Sequence, residues 1–239
     1  MEKLRRESGT CSACSSTARE RAIIRALSLE LFGESLALPD FPLRPDIKGL
    51  GMTDSGRYAS RLREKLGYQN TYYHQEPRLD VAAEELSPDL IESSDFIISS
   101  EVFEHILPPV ERAFQNVLKI LRPGGVFILT VPYRTAPDTI EHFPGLHDFV
   151  LIEENGKQVL RNVRKDGVVE EFRDLVFHMG SGATLEMRVF SERDLLRHLQ
   201  RAGFETPTVH RCPDFKHGVW WPEAWSFPIS GKKPDPAKM

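Results

Sequence analysis

Between Ile47 and Val131 short apolar runs alternate with segments of helical periodicity, and this alternation limits the possible folds more than any other feature of the chain. Ile47–Gly51, Asn70–His74, Leu79–Val81, Phe96–Ser100 and Val126–Val131 read as strands. Asp54–Leu66 and Pro109–Leu121 read as helices, the second with Val110, Ala113, Phe114, Val117, Leu118 and Leu121 along one face. A run such as Val126-Phe-Ile-Leu-Thr-Val131 suits a strand covered on both faces, and strands alternating with helices predict an α/β fold with a mostly parallel sheet. Upstream, Ala18–Phe32 has helical spacing with Gly33 as its stop. Pro39, Pro42 and Pro45 then impose an extended connector, because proline lacks the N–H and blocks the helical conformation before it.

After Pro132 the pattern changes to short strands around Asn155-Gly156 and Asp166-Gly167, both good hairpin turns. Ser191 caps a helix that ends at Gly203, and Thr206–Arg211 and Ser226–Ser230 read as late strands joined by a loop with Trp220, Trp221 and Trp225. The organisation expected is one domain over 1–239: an N-terminal segment and helix (1–46), a ligand-binding core (47–133), a β-rich insert (134–190), and a last helix with antiparallel strands (191–239). The insert is short and polar, so it is expected to lean on the sheet as a lid, with no core of its own.

Composition excludes several classes. With 31 basic and 35 acidic residues the net charge is −4, which argues against a globally basic nucleic-acid binder. No run approaches eighteen apolar residues, so no membrane span is expected. The charged start, Met1-Glu-Lys-Leu-Arg-Arg-Glu7, does not read as a secretory signal. Three cysteines cannot build a disulfide framework. The expectation is a soluble cytoplasmic protein acting on a small molecule, with no nucleic-acid or membrane partner.

In an open parallel sheet, ligands gather beyond the carboxyl ends of the strands. Gly49-Leu-Gly51-Met-Thr-Asp54 ends one strand and opens a helix, where glycine permits close backbone approach and the helix start offers free N–H groups. Gly56 falls too early for the third glycine of a dinucleotide loop. His74, Glu76, Asp80, Ser100 and Glu101 occupy other strand ends, and a carboxylate there suits a ribose diol. Glu84, Glu85 and Asp89 read as surface charge. His105, His142, His147 and His178 are candidate general bases, with Tyr133 as an orienting group. Histidine spacing matches no standard metal motif. Cys11-x-x-Cys14 supplies two corners of a tetrahedral zinc site, and Cys212 is the only other cysteine. A mixed site with histidine, a metal shared between subunits and a vestige are the three readings of that pair; the vestige is favoured and no metal is expected.

The run Asp95-Phe-Ile-Ile-Ser-Ser-Glu101-Val-Phe-Glu104-His105-Ile, followed by Leu118-Lys-Ile-Leu-Arg-Pro-Gly-Gly-Val-Phe-Ile-Leu-Thr-Val-Pro-Tyr133, resembles the core of the class I S-adenosylmethionine (SAM) methyltransferases of the type 11-like kind. The segment around Cys11 and Cys14 resembles a reduced zinc ribbon of the kind that precedes some of these domains. The resemblance implies a Rossmann-like seven-strand sheet with its last strand antiparallel. It places Gly49 and Gly51 against the cofactor's amino acid and ribose, Asp80 near the adenine, and Ser100 and Glu101 on the methionine side. It also implies methyl transfer to an oxygen or nitrogen of a small-molecule or saccharide-type acceptor, which asks the protein chiefly for alignment and a dry site. One departure stands out: Thr71-Tyr-Tyr-His74-Gln-Glu76-Pro77 lacks the usual acid at the end of the second strand, and the interval to Asp80 is too short for the usual helix. The competing classes are a non-catalytic methyltransferase-like binding domain and a nicotinamide-dependent Rossmann oxidoreductase.

Overall fold

A computed structural model describes residues 5–8, 10–178 and 184–238; residues 1–4 of the charged start and residues 179–183 of the insert lie outside it. The elements in chain order are α1 (Arg5–Ser8), α2 (Ala18–Phe32), β1 (Arg44–Met52), α3 (Gly56–Lys65), β2 (Leu66–Thr71), β3 (Ser94–Ser100), α4 (Glu111–Ile120) and β4 (Leu121–Thr130). The insert carries β5 (Tyr133–Arg134), β6 (Ile140–Glu141), β7 (Asp148–Glu154), β8 (Lys157–Val163), β9 (Val169–Phe172), β10 (Phe177–His178), β11 (Thr184–Leu185) and β12 (Arg188–Ser191). The chain closes with α5 (Glu192–Ala202), β13 (Glu205–Val209) and β14 (Ile229–Lys232).

The central sheet has the order β13-β14-β4-β3-β1-β2. Strands β4, β3, β1 and β2 are mutually parallel, and β14 runs antiparallel to both its neighbours. Period-2 alternation covers both faces. Phe96, Ile98, Val126 and Ile128 pack under α2 and α3, while Ile97, Phe127 and Leu129 pack under α4 and α5. Helix α2 is fixed at its start by a reciprocal cap between Thr17 and Glu20, and buried Glu20 also pairs with Arg57 of α3 at 2.9 Å. Gly33 ends α2 in the left-handed conformation, as its position in the sequence predicts.

The sheet has six strands among the described residues, not seven. Leu79–Val81 is not a strand: only an isolated bridge, Tyr72 to Arg78, forms there. Leu79 and Val81 nevertheless turn inward and are buried. Strand β2 also starts earlier than its β-propensity suggests, directly from Leu66 at the end of α3, and stops at Thr71 before Tyr73 and His74. It is therefore the sheet edge, flanked by an open groove of about 590 Å³ lined in part by Tyr68, Asn70, Tyr72 and Glu76.

The insert differs from expectation too. Strands β7, β8 and β9 form an antiparallel meander of their own, with Asn155-Gly156 as the first turn. Phe143, Leu160, Leu185 and Met187 are buried together, with Phe149, Phe172 and Phe177 packed on them. The segment buries a small core because the described strands curl around these aromatics, which the polar average of the sequence conceals. No described helix is long and apolar enough to cross a membrane.

Candidate functional site

Strand β1 connects to β2 on one side and pairs with β3 on the other, so the chain reverses its direction of travel across the sheet between β1 and β3. This is the topological switch point, where an α/β sheet opens a crevice at its carboxyl edge. Two residues there adopt positive φ without being glycine: Thr53 (59°), just after β1, and Glu101 (58°), just after β3. Each is held by a backbone bond across the sheet, Thr53 N–H donating to Thr71 O and Glu101 N–H to Thr130 O, both at 2.8 Å. Strain of this kind in a threonine costs of order 1–3 kcal/mol and clusters at functional sites.

The glycines of β1 are needed for packing inside the protein. A Cβ on Gly49 would overlap the Phe96 ring, and one on Gly51 would overlap the Tyr68 hydroxyl and the Asp54 carboxylate. The expectation that they chiefly clear space for a cofactor is corrected accordingly. Gly51→Val should therefore destabilise the fold itself, by about 1–3 kcal/mol as overpacking does. Denaturant unfolding checks this; a native midpoint would show that the loop yields freely.

Asp54 is buried below Thr53. Its Oδ2 accepts from the Tyr68 hydroxyl at 2.6 Å, and its Oδ1 has no hydrogen-bond partner. Asn70 clamps the Asp54 backbone, accepting from its N–H and donating to its carbonyl, both at 2.9 Å. Burial pushes the Asp54 carboxyl up to about 7, against the partial opposition of its hydrogen bonds and of Arg19. Arg19, from α2, reaches across to the Ser100 hydroxyl and to Glu7. Glu101 accepts from buried Arg6 at 2.8 Å. The N-terminal segment thus sets two guanidinium groups over the end of β3.

Farther along, Asp80 accepts from Ala82 N–H and is half-buried, while His74 is exposed and Glu76 is exposed at the edge-strand groove. Neither replaces a carboxylate at the end of β2: Glu76 accepts from Arg78 N–H, and His74 rests edge-on against Tyr73. Glu84, Glu85 and Asp89 are exposed, as their reading as surface charge requires.

On the other side of Glu101 three of the four candidate histidines converge. Glu186 accepts from His142 Nε2 at 2.9 Å and from His178 Nε2 at 3.0 Å. His178 stands edge-on to His105, with ring centroids 4.8 Å apart, and His105 Nδ1 lies 3.0 Å from Leu185 O. Burial lowers the His105 pKa, and because a carbonyl can only accept, Nδ1 carries the hydrogen that it receives. Burial raises Glu186, yet the bonds from His178 and His142 outweigh it and leave the carboxyl below its usual range. The hydrogen bond to Glu186 raises His178. Glu104 is 1% exposed, and neither carboxylate oxygen accepts a hydrogen bond. Its burial, with Glu101 and Glu186 nearby, drives its pKa well above the carboxylate range.

His147 is not part of this group: it is exposed, and its N–H donates to Asn162. Tyr133 is buried and pinned, its hydroxyl accepting from Phe227 N–H and its own N–H donating to Ser226 Oγ. That makes it a tie between the insert and the C-terminal loop. Trp221 stacks on Phe227 and is buried, whereas Trp220 is exposed. Cys11 and Cys14 lie in one turn, where Cys14 and Ala13 N–H groups lower the Cys11 thiol pKa, and Cys212 is exposed on its own.

Glu186, Glu104, Arg188 and Arg19 were not legible as site residues. Glu104 lies within a noticed motif. Glu186 and Arg188 come from a stretch with no pattern of its own, so only the folding of the insert brings them to β3.

Residues 53–209 match the family described as a methyltransferase domain. No curated protein matches the chain. Among solved structures, the sugar N-methyltransferase KedS8 from Streptoalloteichus sp ATCC 53650 is 14% identical over 91% of this chain and 88% of its own, with a TM-score of 0.50. The CurJ carbon methyltransferase is 13% identical over 90% of this chain and 54% of its own, also at 0.50. At these identities the likeness is one of fold, and it agrees with the sheet order and the antiparallel β14. The family match spans the switch-point crevice from Thr53 onward together with the whole histidine cluster, and by it the chain belongs to the methyltransferase-domain family.

Proposed function

We propose that the chain is a SAM-dependent methyltransferase acting on an oxygen or nitrogen of a small-molecule or saccharide-type acceptor. The observation that carries this reading is the placement of Glu186, His142, His178 and His105 beside Glu101, at the carboxyl edge of a methyltransferase-domain sheet. When bound, SAM supplies a methyl group already activated by its sulfonium. The residues present fit it at the methionine end, where the cationic Arg19, held between Ser100 and Glu7, suits a carboxylate. At the ribose end they depart from the family pattern, because β2 ends in Thr71 with no carboxylate.

The chain's own task is to position the acceptor, exclude water and take up a proton. His142, backed by Glu186, has the arrangement of a general base: the carboxylate fixes Nε2 and leaves Nδ1 for the acceptor. The insert (134–190) forms the wall of the acceptor pocket. The Cys11–Cys14 turn is the remnant of a ribbon and carries no metal.

Calorimetry with SAM and with NAD is the first test, followed by methyl transfer to a panel of sugars and amino sugars, the class named for KedS8. SAM alone should bind. His142→Ala and Glu186→Gln should then lower turnover by about 10²–10⁴ with SAM affinity nearly unchanged, the usual range for loss of a general base. His147→Ala should be silent. NAD binding would move the protein to the oxidoreductases, and SAM binding without turnover on any acceptor favours the non-catalytic domain.

A further inference from the structure

We propose that Glu104, His105 and His178 form a binding site for one divalent transition-metal ion at the carboxyl edge of β3. Each offers a ligand atom, and these atoms lie within 4.8 Å of one another. Glu104 is the anchor. It is buried, neither of its oxygens accepts a hydrogen bond, and Oε1 faces His105 Nε2 at 3.8 Å. A buried carboxyl without hydrogen bonds is costly, and a cation relieves that cost directly.

The two histidines are arranged as ligands are. In each, one ring nitrogen is taken by an acceptor and the other is left to coordinate. His105 Nδ1 is occupied by Leu185 O, which leaves Nε2; His178 Nε2 is occupied by Glu186, which leaves Nδ1. Outer-shell acceptors of this type fix the tautomer and aim the lone pair. Glu186 is itself steadied by His142. Two imidazoles and a carboxylate favour zinc, cobalt, nickel or ferrous iron over magnesium or calcium. Metal–donor bonds of about 2.0–2.2 Å place neighbouring donors roughly 3.0–3.5 Å apart, so the side chains draw inward by about an ångström on binding.

Three protein ligands leave coordination positions open, the arrangement of sites that hold water or substrate and not of closed structural sites. Resting on the methyltransferase reading, the open positions face the acceptor, so the ion would bind and acidify an acceptor hydroxyl while His142, outside the triad, receives the proton.

The test is titration of the untagged full-length chain with Co²⁺, read by visible absorption, with Zn²⁺ competition. The expected result is one Co²⁺ per chain, displaced by Zn²⁺. His178→Ala and Glu104→Gln should abolish binding. Glu186→Gln should weaken it by about 10–100-fold, as outer-shell changes do. The double variant Cys11→Ser/Cys14→Ser should bind normally. His178 is partly exposed, so its variant gives an answer even if Glu104→Gln fails to fold. No saturable binding to the wild-type chain, binding that survives His178→Ala, or binding lost in the cysteine variant each overturns the site. SAM affinity, measured on the same sample without metal, separates failure of this site from failure of the methyltransferase reading.

Discussion

Arg188→Ala is expected to destabilise the chain by about 2–5 kcal/mol, the range for leaving buried carbonyls without a donor and opening a cavity. Arg188 is 1% exposed yet carries a full charge, and its surroundings explain how. It donates to Glu141 at 2.8 Å, to Phe103 O at 3.2 Å and to Ile106 O at 2.6 Å, and it lies over the Phe190 ring. One guanidinium therefore ties β12 and β6 of the insert to the turn that carries Glu104 and His105. Met187 N–H donating to Glu104 O at 2.8 Å is a second tie at the same place. Truncation leaves two carbonyls without their donor and opens a cavity under the cluster. Urea unfolding measures the loss. Arg188→Met, which restores volume but not the donors, should recover only part of it. A change below about 1 kcal/mol, the level of a surface pair, would show that the insert is anchored elsewhere.

The second large effect depends on pH. With Asp54 raised to about 7 in the folded chain and 3.8 as its reference, the folded state retains a proton that the unfolded chain has already lost. Stability must then fall as pH rises between those two values and level off above the higher one. The whole difference is about 4 kcal/mol at 1.36 kcal/mol per unit. Asp54→Asn keeps the shape, retains an acceptor for the Tyr68 hydroxyl and has no charge to bury. Near pH 3 it should match the parent, and by pH 8 it should exceed it by several kcal/mol. Parallel stability curves for the two proteins from pH 4 to 8 would sink this account. A buried acid that works against stability at neutral pH, at the end of β1 and under a strained Thr53, is where a functional demand is expected.

The residues at the carboxyl end of β3 were legible because they follow from strand ends. Once Phe96–Ser100 is recognised as a buried strand, Ser100 and Glu101 must stand at the carboxyl edge, and the left-handed Glu101 marks the point. His74 and Glu76 were misplaced by the same logic. The aromatic run Tyr72-Tyr73 has high β-propensity, but among the described residues no partner strand lies beyond it, and Pro77 and the Tyr72–Arg78 bridge fold the segment into a tight loop. The reason given for Gly49 and Gly51 failed similarly. A glycine pattern shows that a Cβ is forbidden without showing what forbids it, and here Phe96, Tyr68 and Asp54 do.

The sequence by itself determined the layered sheet. Period-2 and period-3.6 patterns, the Thr17 and Ser191 caps and the Gly33 and Gly203 stops are local, and each acts within one element. It also marked His105, His142 and His178 as chemistry-bearing residues. Only the tertiary structure decided that these three meet while His147 stays outside, and that Glu186 joins two of them. It alone decided that Glu104 is buried without a hydrogen bond. The physical reason is distance along the chain: Glu104 and Glu186 are brought together by the Arg188 anchor and by β12 pairing with β5 and β6. Such long-range contacts form from backbone carbonyls and a single buried cation, which leave no periodic trace in the order of residues.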